Sequence, residues 1–78
     1  MSEPGPVETL DARGLLCPMP VIKAQDRIAG LRPGTVLEVW ATDPGTLADV
    51  PAWCRVHGHE VLEATQANHE IRIRIKVN

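Results

Sequence analysis

The sequence predicts an α/β (α+β) fold: a two-layer sandwich of order βαβαββ, with a four-stranded mixed sheet and both helices on one of its faces. Three observations carry this. Ile71, Ile73, Ile75 and Val77 alternate strictly with Arg72, Arg74 and Lys76, the period of a half-buried strand. Val21, Ala24, Ile28 and Leu31 recur at helical spacing, with Lys23, Gln25, Asp26 and Arg27 on the other sides. Proline and glycine pairs divide the remainder into short segments of strand or helix character. A chain of 78 residues buries enough apolar surface for one core, so the expectation is a single domain over 7–78 behind a flexible tail over 1–6. With no Phe or Tyr, the core must be built from Val, Ile, Leu, Ala and two Trp.

In chain order, Val7 to Ala12 is a short extended run closed by the turn residues Arg13-Gly14. The first helix follows Cys17 and is stopped by Gly30 and then Pro33-Gly34. Thr35 to Thr42 carries Val36, Leu37, Val39 and Trp40, a near-continuous apolar stretch expected well inside a sheet. Asp43-Pro44 has the form of an N-cap with proline at the first helical position. The second helix should run to about His57, with Leu47, Val50 and Cys54 inward and Gly58 as terminator. Pro51 within it predicts a kink, or two abutting pieces restarted at Asp49. Val61 to Gln66 is a third strand, with Asn68 in the turn before the fourth.

A formal charge of −2 gives no global attraction to nucleic acid or to an anionic membrane. No apolar run approaches the length of a membrane span, and the first residues lack the features of a signal peptide, so a soluble cytoplasmic protein is expected. In a reducing compartment at least one of the two cysteines should be a free, chemically used thiol. Cys17 has the context for it. Cys17-Pro18-Met19-Pro20 stands between the Gly14 turn and the first helix, where peptide dipoles and free N–H groups favour an anion. Pro18 and Pro20 fit a first helical turn and stiffen it; the Met19 N–H is left to point at Cys17, and Arg13 can fold back to add a positive charge. Pro20 stands where a dithiol motif would need its second cysteine, which leaves one-thiol chemistry: attack on a donor persulfide, then release of the outer sulfur to an acceptor.

The stretch Leu10-Asp11-Ala12-Arg13-Gly14-Leu15-Leu16-Cys17-Pro18-Met19-Pro20-Val21 resembles the opening signature of the TusA (SirA-like) sulfur-carrier family, with its Cys-Pro-x-Pro motif. Pro33-Gly34, Asp43-Pro44, Asp49-Val50-Pro51, Cys54 and Gly58-His59-Glu60 continue the resemblance over nearly the whole chain after Val7. It implies a sulfurtransferase holding sulfur as a covalent persulfide on Cys17, with no other cofactor. Sulfur would come from a cysteine desulfurase or a rhodanese-like protein and pass to an acceptor protein, in tRNA thiolation, molybdenum cofactor synthesis or sulfur oxidation. Arg13, Gly14, Pro18, Met19 and Pro20 would support the cysteine, and Arg13, Leu16, Met19 and Lys23 would meet partners of what is expected to be a monomer. Leu16 departs from the basic or polar residue common before the motif cysteine.

Cys54 reads as a core residue. Cys54, His57 and His59 match no zinc framework, so no metal is expected, and His59 reads as a cap on helix-end carbonyls. Arg72, Arg74 and Lys76 read as a solvated row without stacking aromatics, touching nucleic acid only indirectly. Asp11 and Asp43 read as turn and cap residues. The rival reading is a regulatory or RNA- or protein-binding module with a structural Cys17 and the basic strand as its working surface.

Overall fold

The structure is a computed structural model that describes residues 6–78, so the predicted tail lies outside the described residues except for Pro6. Its elements are β1 (Val7–Ala12), α1 (Met19–Ile28), β2 (Val36–Ala41), α2 (Thr46–His57), β3 (Glu60–Ala67) and β4 (Glu70–Lys76). The sheet order is β1-β2-β4-β3. β1 and β2 are parallel, and β4 pairs antiparallel with both β2 and β3. This is the predicted mixed four-stranded sheet with two helices.

Alternation decides what the sheet buries. Leu37, Val39 and Ala41 of β2 and Ile71, Ile73 and Ile75 of β4 point to the helix side and are fully buried. α1 covers them with Pro20, Ala24 and Ile28, and α2 with Thr46, Val50 and Cys54. Each buried Ile contributes about 1.5–3 kcal/mol of gross burial free energy, which makes β4 a principal contributor to the core. β3 is an edge strand with a register shift between Val61 and Glu63, and most of it is exposed.

Three expectations change. Trp40 is not in the core: its register partner is Arg72, and with Glu38 it lies on the face away from the helices. The apolar run of β2 is interrupted by the outward residues Glu38 and Trp40, as the pleat requires. α2 begins at Thr46 with Gly45 as N-cap, not at Asp43-Pro44. The main-chain bonds Thr46 N–H to Asp43 O (3.0 Å) and Leu47 N–H to Pro44 O (3.2 Å) form a tight turn ahead of it. Finally, α2 is continuous through Pro51 rather than restarting at Asp49. Proline costs one ladder bond there, and burial of Val50 and Cys54 on either side of it holds the helix on the sheet.

Parallel pairing of β1 with β2, in the register Ala12 to Ala41, brings two turns together. The chain leaving β1 toward α1 and the chain leaving β2 toward α2 emerge at the same end of the sheet. Both helix starts therefore sit side by side, and Cys17 lies between them.

Candidate functional site

Cys17 is exposed, immediately before Pro18, the N-cap of α1, and the Cys17-Pro18 peptide is cis. Gly14 makes the preceding turn with φ +81°, a left-handed conformation suited to glycine. The two turns are stitched by Gly14 N–H to Thr42 Oγ1 (2.9 Å) and Cys17 N–H to Asp43 Oδ2 (2.7 Å). Asp43 Oδ1 also accepts the Gly45 N–H at 3.2 Å. The Cys17 Sγ–H donates to Asp49 Oδ2 at 2.6 Å, a charge-assisted bond to a carboxylate on α2. That bond, partial desolvation and the charges of Asp49 and Asp43 all raise the Cys17 pKa above its ordinary value.

This reverses the expectation that the helix start stabilises a thiolate, and the bonding explains why. Pro18 and Pro20 carry no N–H. The Met19 N–H does not reach Cys17 but donates to Leu16 O at 2.8 Å, and the Val21 and Ile22 N–H groups both donate to Pro18 O at 3.1 Å. No donor of the first turn remains for sulfur. Arg13 does not fold back either. It bonds Asp11 (2.9 and 3.0 Å) and Glu70 (3.2 Å), and its guanidinium lies 5.4 Å from the Trp40 ring centre.

The other predicted residues are distributed as follows. Pro20 lies on the buried side of α1, while Pro18 is exposed beside the sulfur. Leu16 is 74% exposed, Met19 39% and Ile22 42%, and Lys23 is exposed one residue on. Met19, Ile22 and Lys23 share a helix side at i, i+3 and i+4, so an apolar collar with a cationic rim borders Cys17. Cys54 is buried as expected, and its thiol is pushed up to about 11 by burial. His59 does not cap carbonyls with its ring. Its Nδ1 accepts the Asn78 N–H at 3.1 Å and its ring stacks on Trp53, which also stacks on His57. The Cys54 carbonyl is met instead by backbone N–H groups of Gly58 and His59.

The basic row has an aromatic partner after all: the Arg72 guanidinium lies 4.7 Å from the Trp40 ring centre. Trp40, Thr9, Asp11 and Arg13 line a shallow depression of about 300 Å³ on the outer sheet face. Two cations of the basic row share one carboxylate: Glu38 lies within 4.0 Å of Arg72 and 3.6 Å of Arg74. Asp49, read from sequence as a helix restart and as part of the family resemblance but given no role at the site, is the site residue that reading missed. The geometric signal for it is that β1 and β2 leave the sheet at the same end, which puts the residues after β2 beside Cys17.

Fold and site together define a small α/β-sandwich protein that presents one accessible thiol where two helices begin. The family described as Sulfurtransferase TusA matches residues 8–77. The chain is 52% identical over 62 residues to the protein YrkF of Bacillus subtilis, covering 80% of this chain but 33% of that protein, so it spans about a third of YrkF. It is 48% identical over 54 residues to the sulfur carrier protein TusA of Pseudomonas aeruginosa, covering 69% of this chain and 68% of that one. The crystal structure of a SirA-like protein from Desulfitobacterium hafniense superposes with a TM-score of 0.80 at 27% identity, over 92% of this chain and 97% of the other. The chain belongs to the TusA (SirA-like) family. Among the described residues no helix is long and apolar enough to cross a membrane, and no group of His, Cys, Asp and Glu is arranged to hold a metal ion.

Proposed function

We propose that this protein is a sulfur carrier that accepts sulfane sulfur as a persulfide on Cys17 and transfers it to an acceptor protein. The observation that carries the reading is the contrast between its two thiols: Cys17 exposed beside an apolar collar, Cys54 sealed in the core. Sulfur exchange needs a sulfur that another protein's sulfur can reach in line, and the exposed Leu16, Met19 and Ile22 around it give a partner apolar surface on which to dock. The donor is a cysteine desulfurase or a rhodanese-like protein; the acceptor belongs to tRNA thiolation or another sulfur-trafficking route. Transfer moves one sulfur atom without net oxidation. The Cys17 thiolate bonds the outer sulfur of the donor persulfide, the donor S–S bond breaks, and the donor cysteine leaves as thiolate.

Incubation with a cysteine desulfurase and cysteine, followed by intact mass measurement, should add one sulfur atom that is reversed by a thiol reductant. Cys17→Ala should abolish the gain and Cys54→Ala should preserve it. Sulfur retained in the Cys17→Ala protein would overturn the assignment.

A further inference from the structure

We propose that Asp49 locks unloaded Cys17 as the thiol, and that a sulfur-donor protein releases the lock by setting a lysine or arginine side chain against the Asp49–Asp43 carboxylate pair. The second half rests on the persulfide reading above; the first does not.

Sγ lies 2.6 Å from Asp49 Oδ2, a separation at which a thiol can donate its proton to the carboxylate while a thiolate would be repelled by it. A thiolate in the same place would face two carboxylates. Asp49 approaches from α2 and Asp43 from the turn before it, both half-buried, with Asp43 holding the Cys17 N–H. Among the described residues no ion pair joins either carboxylate to a cation, and Lys23, exposed on the rim of the collar one turn along α1, makes none with them. Arg13 is occupied by Asp11 and Glu70, and the first turn of α1, Met19-Pro20-Val21-Ile22, has no charged side chain and no free N–H. Yet sulfur exchange proceeds through the thiolate. The isolated protein thus carries its reactive group in the unreactive form, and the missing element is positive charge.

That requirement specifies the partner's chemistry. An apolar surface matching Leu16, Met19 and Ile22, with a cation beside it, would bury the collar, pair with the carboxylates and make ionisation of Cys17 favourable in the docked state. The thiol proton then passes to Asp49 or to water as Cys17 attacks. Once loaded, the inner sulfur is bonded to Cβ and to the outer sulfur and has no proton to donate, so the lock exists only in the unloaded state.

The test measures iodoacetamide alkylation of Cys17 against pH in the full chain, for the unmodified protein, Asp49→Asn and Asp49→Glu. Asp49→Asn should move the midpoint lower and so give severalfold faster alkylation near neutrality. Asp49→Glu, which keeps the charge, should leave most of the elevation in place. Thermal melts establish that the variants are folded, and Asp43→Asn gives a second, smaller downward shift should Asp49→Asn fail to fold. Loading is then compared with two donors. Asp49→Asn should load faster from inorganic polysulfide and slower from a cysteine desulfurase with cysteine, because only the protein uses the carboxylate for docking. An unmoved or raised midpoint overturns the lock; equal acceleration with both donors overturns the docking cation. A lowered midpoint with no loading from any donor would leave the lock intact and sink the persulfide reading instead.

Discussion

Cys17 and Cys54 carry the same side chain in opposite surroundings, and their chemistry follows from the neighbours. Cys54 is enclosed by Val50 and the sheet, so its thiol ionises only toward pH 11. A disulfide reagent added to the native protein should therefore label one thiol, Cys17, and reach the second only on unfolding. Linkage gives a further outcome. The folded state holds the Cys54 proton more tightly than the unfolded chain, whose ordinary value is 9.0, so the associated stability is fully present below pH 9 and lost as pH rises toward 11. The stability gap between the unmodified protein and Cys54→Ala, measured by urea titration, should narrow by about 1–3 kcal/mol over that interval; a constant gap would contradict it. The position of Cys17 was legible in sequence because prolines and a glycine mark the turn locally. Its ionisation was not, since it depends on Asp49, a residue 32 positions away.

Local signals served best where one segment fixes its own geometry. β4 and the body of α1 follow their periodicities, and the β3–β4 turn follows its turn residue. Asn68 and His69 both have positive φ, +52° and +68°, between the paired residues Ala67 and Glu70, the pattern of a type I′ hairpin. Asparagine and histidine are both enriched in that region among residues with a side chain, yet each stores conformational energy there that glycine would not. His69→Gly should raise stability by about 0.5–1 kcal/mol, and His69→Val should lower it by a similar or larger amount. Opposite shifts of the melting temperature are the readout, and a loss with glycine would rule out the turn assignment. The start of α2 was less legible because two signals coincide: Asp43-Pro44 has the composition of a cap, but its carboxylate is divided between Gly45 and Cys17, and the helix begins three residues later. Tertiary contact overrode local composition at that point.

At the scale of the molecule, a two-layer sandwich leaves one sheet face bare, and this chain fills it with a charge lattice instead of a third layer. Arg13 spans from Asp11 at the end of β1 to Glu70 at the start of β4, crossing Trp40 of the intervening β2, while Glu38 sits between Arg72 and Arg74. The alternation in β4 predicted that this face is wet but could not reveal its pairing, because register between strands, not sequence spacing, sets which charges meet. The lattice has a titratable point. Hydrogen bonds from the Arg13 side chain and backbone to Asp11 lower its carboxyl from 3.8 to about 2. A lowered native value means that the unfolded chain takes up this proton first on acidification. Whatever stability the pair contributes is thus complete above pH 4 and disappears as the pH falls through 2. Both groups are exposed, so the contribution is small and screened by salt. Asp11→Asn should melt slightly below the unmodified protein at neutral pH in low salt, the difference should vanish as pH approaches 2, and high salt should reduce it at every pH. A difference that persists unchanged at pH 2 would mean that Asp11 acts by shaping the Arg13 turn through hydrogen bonding alone, not through its charge.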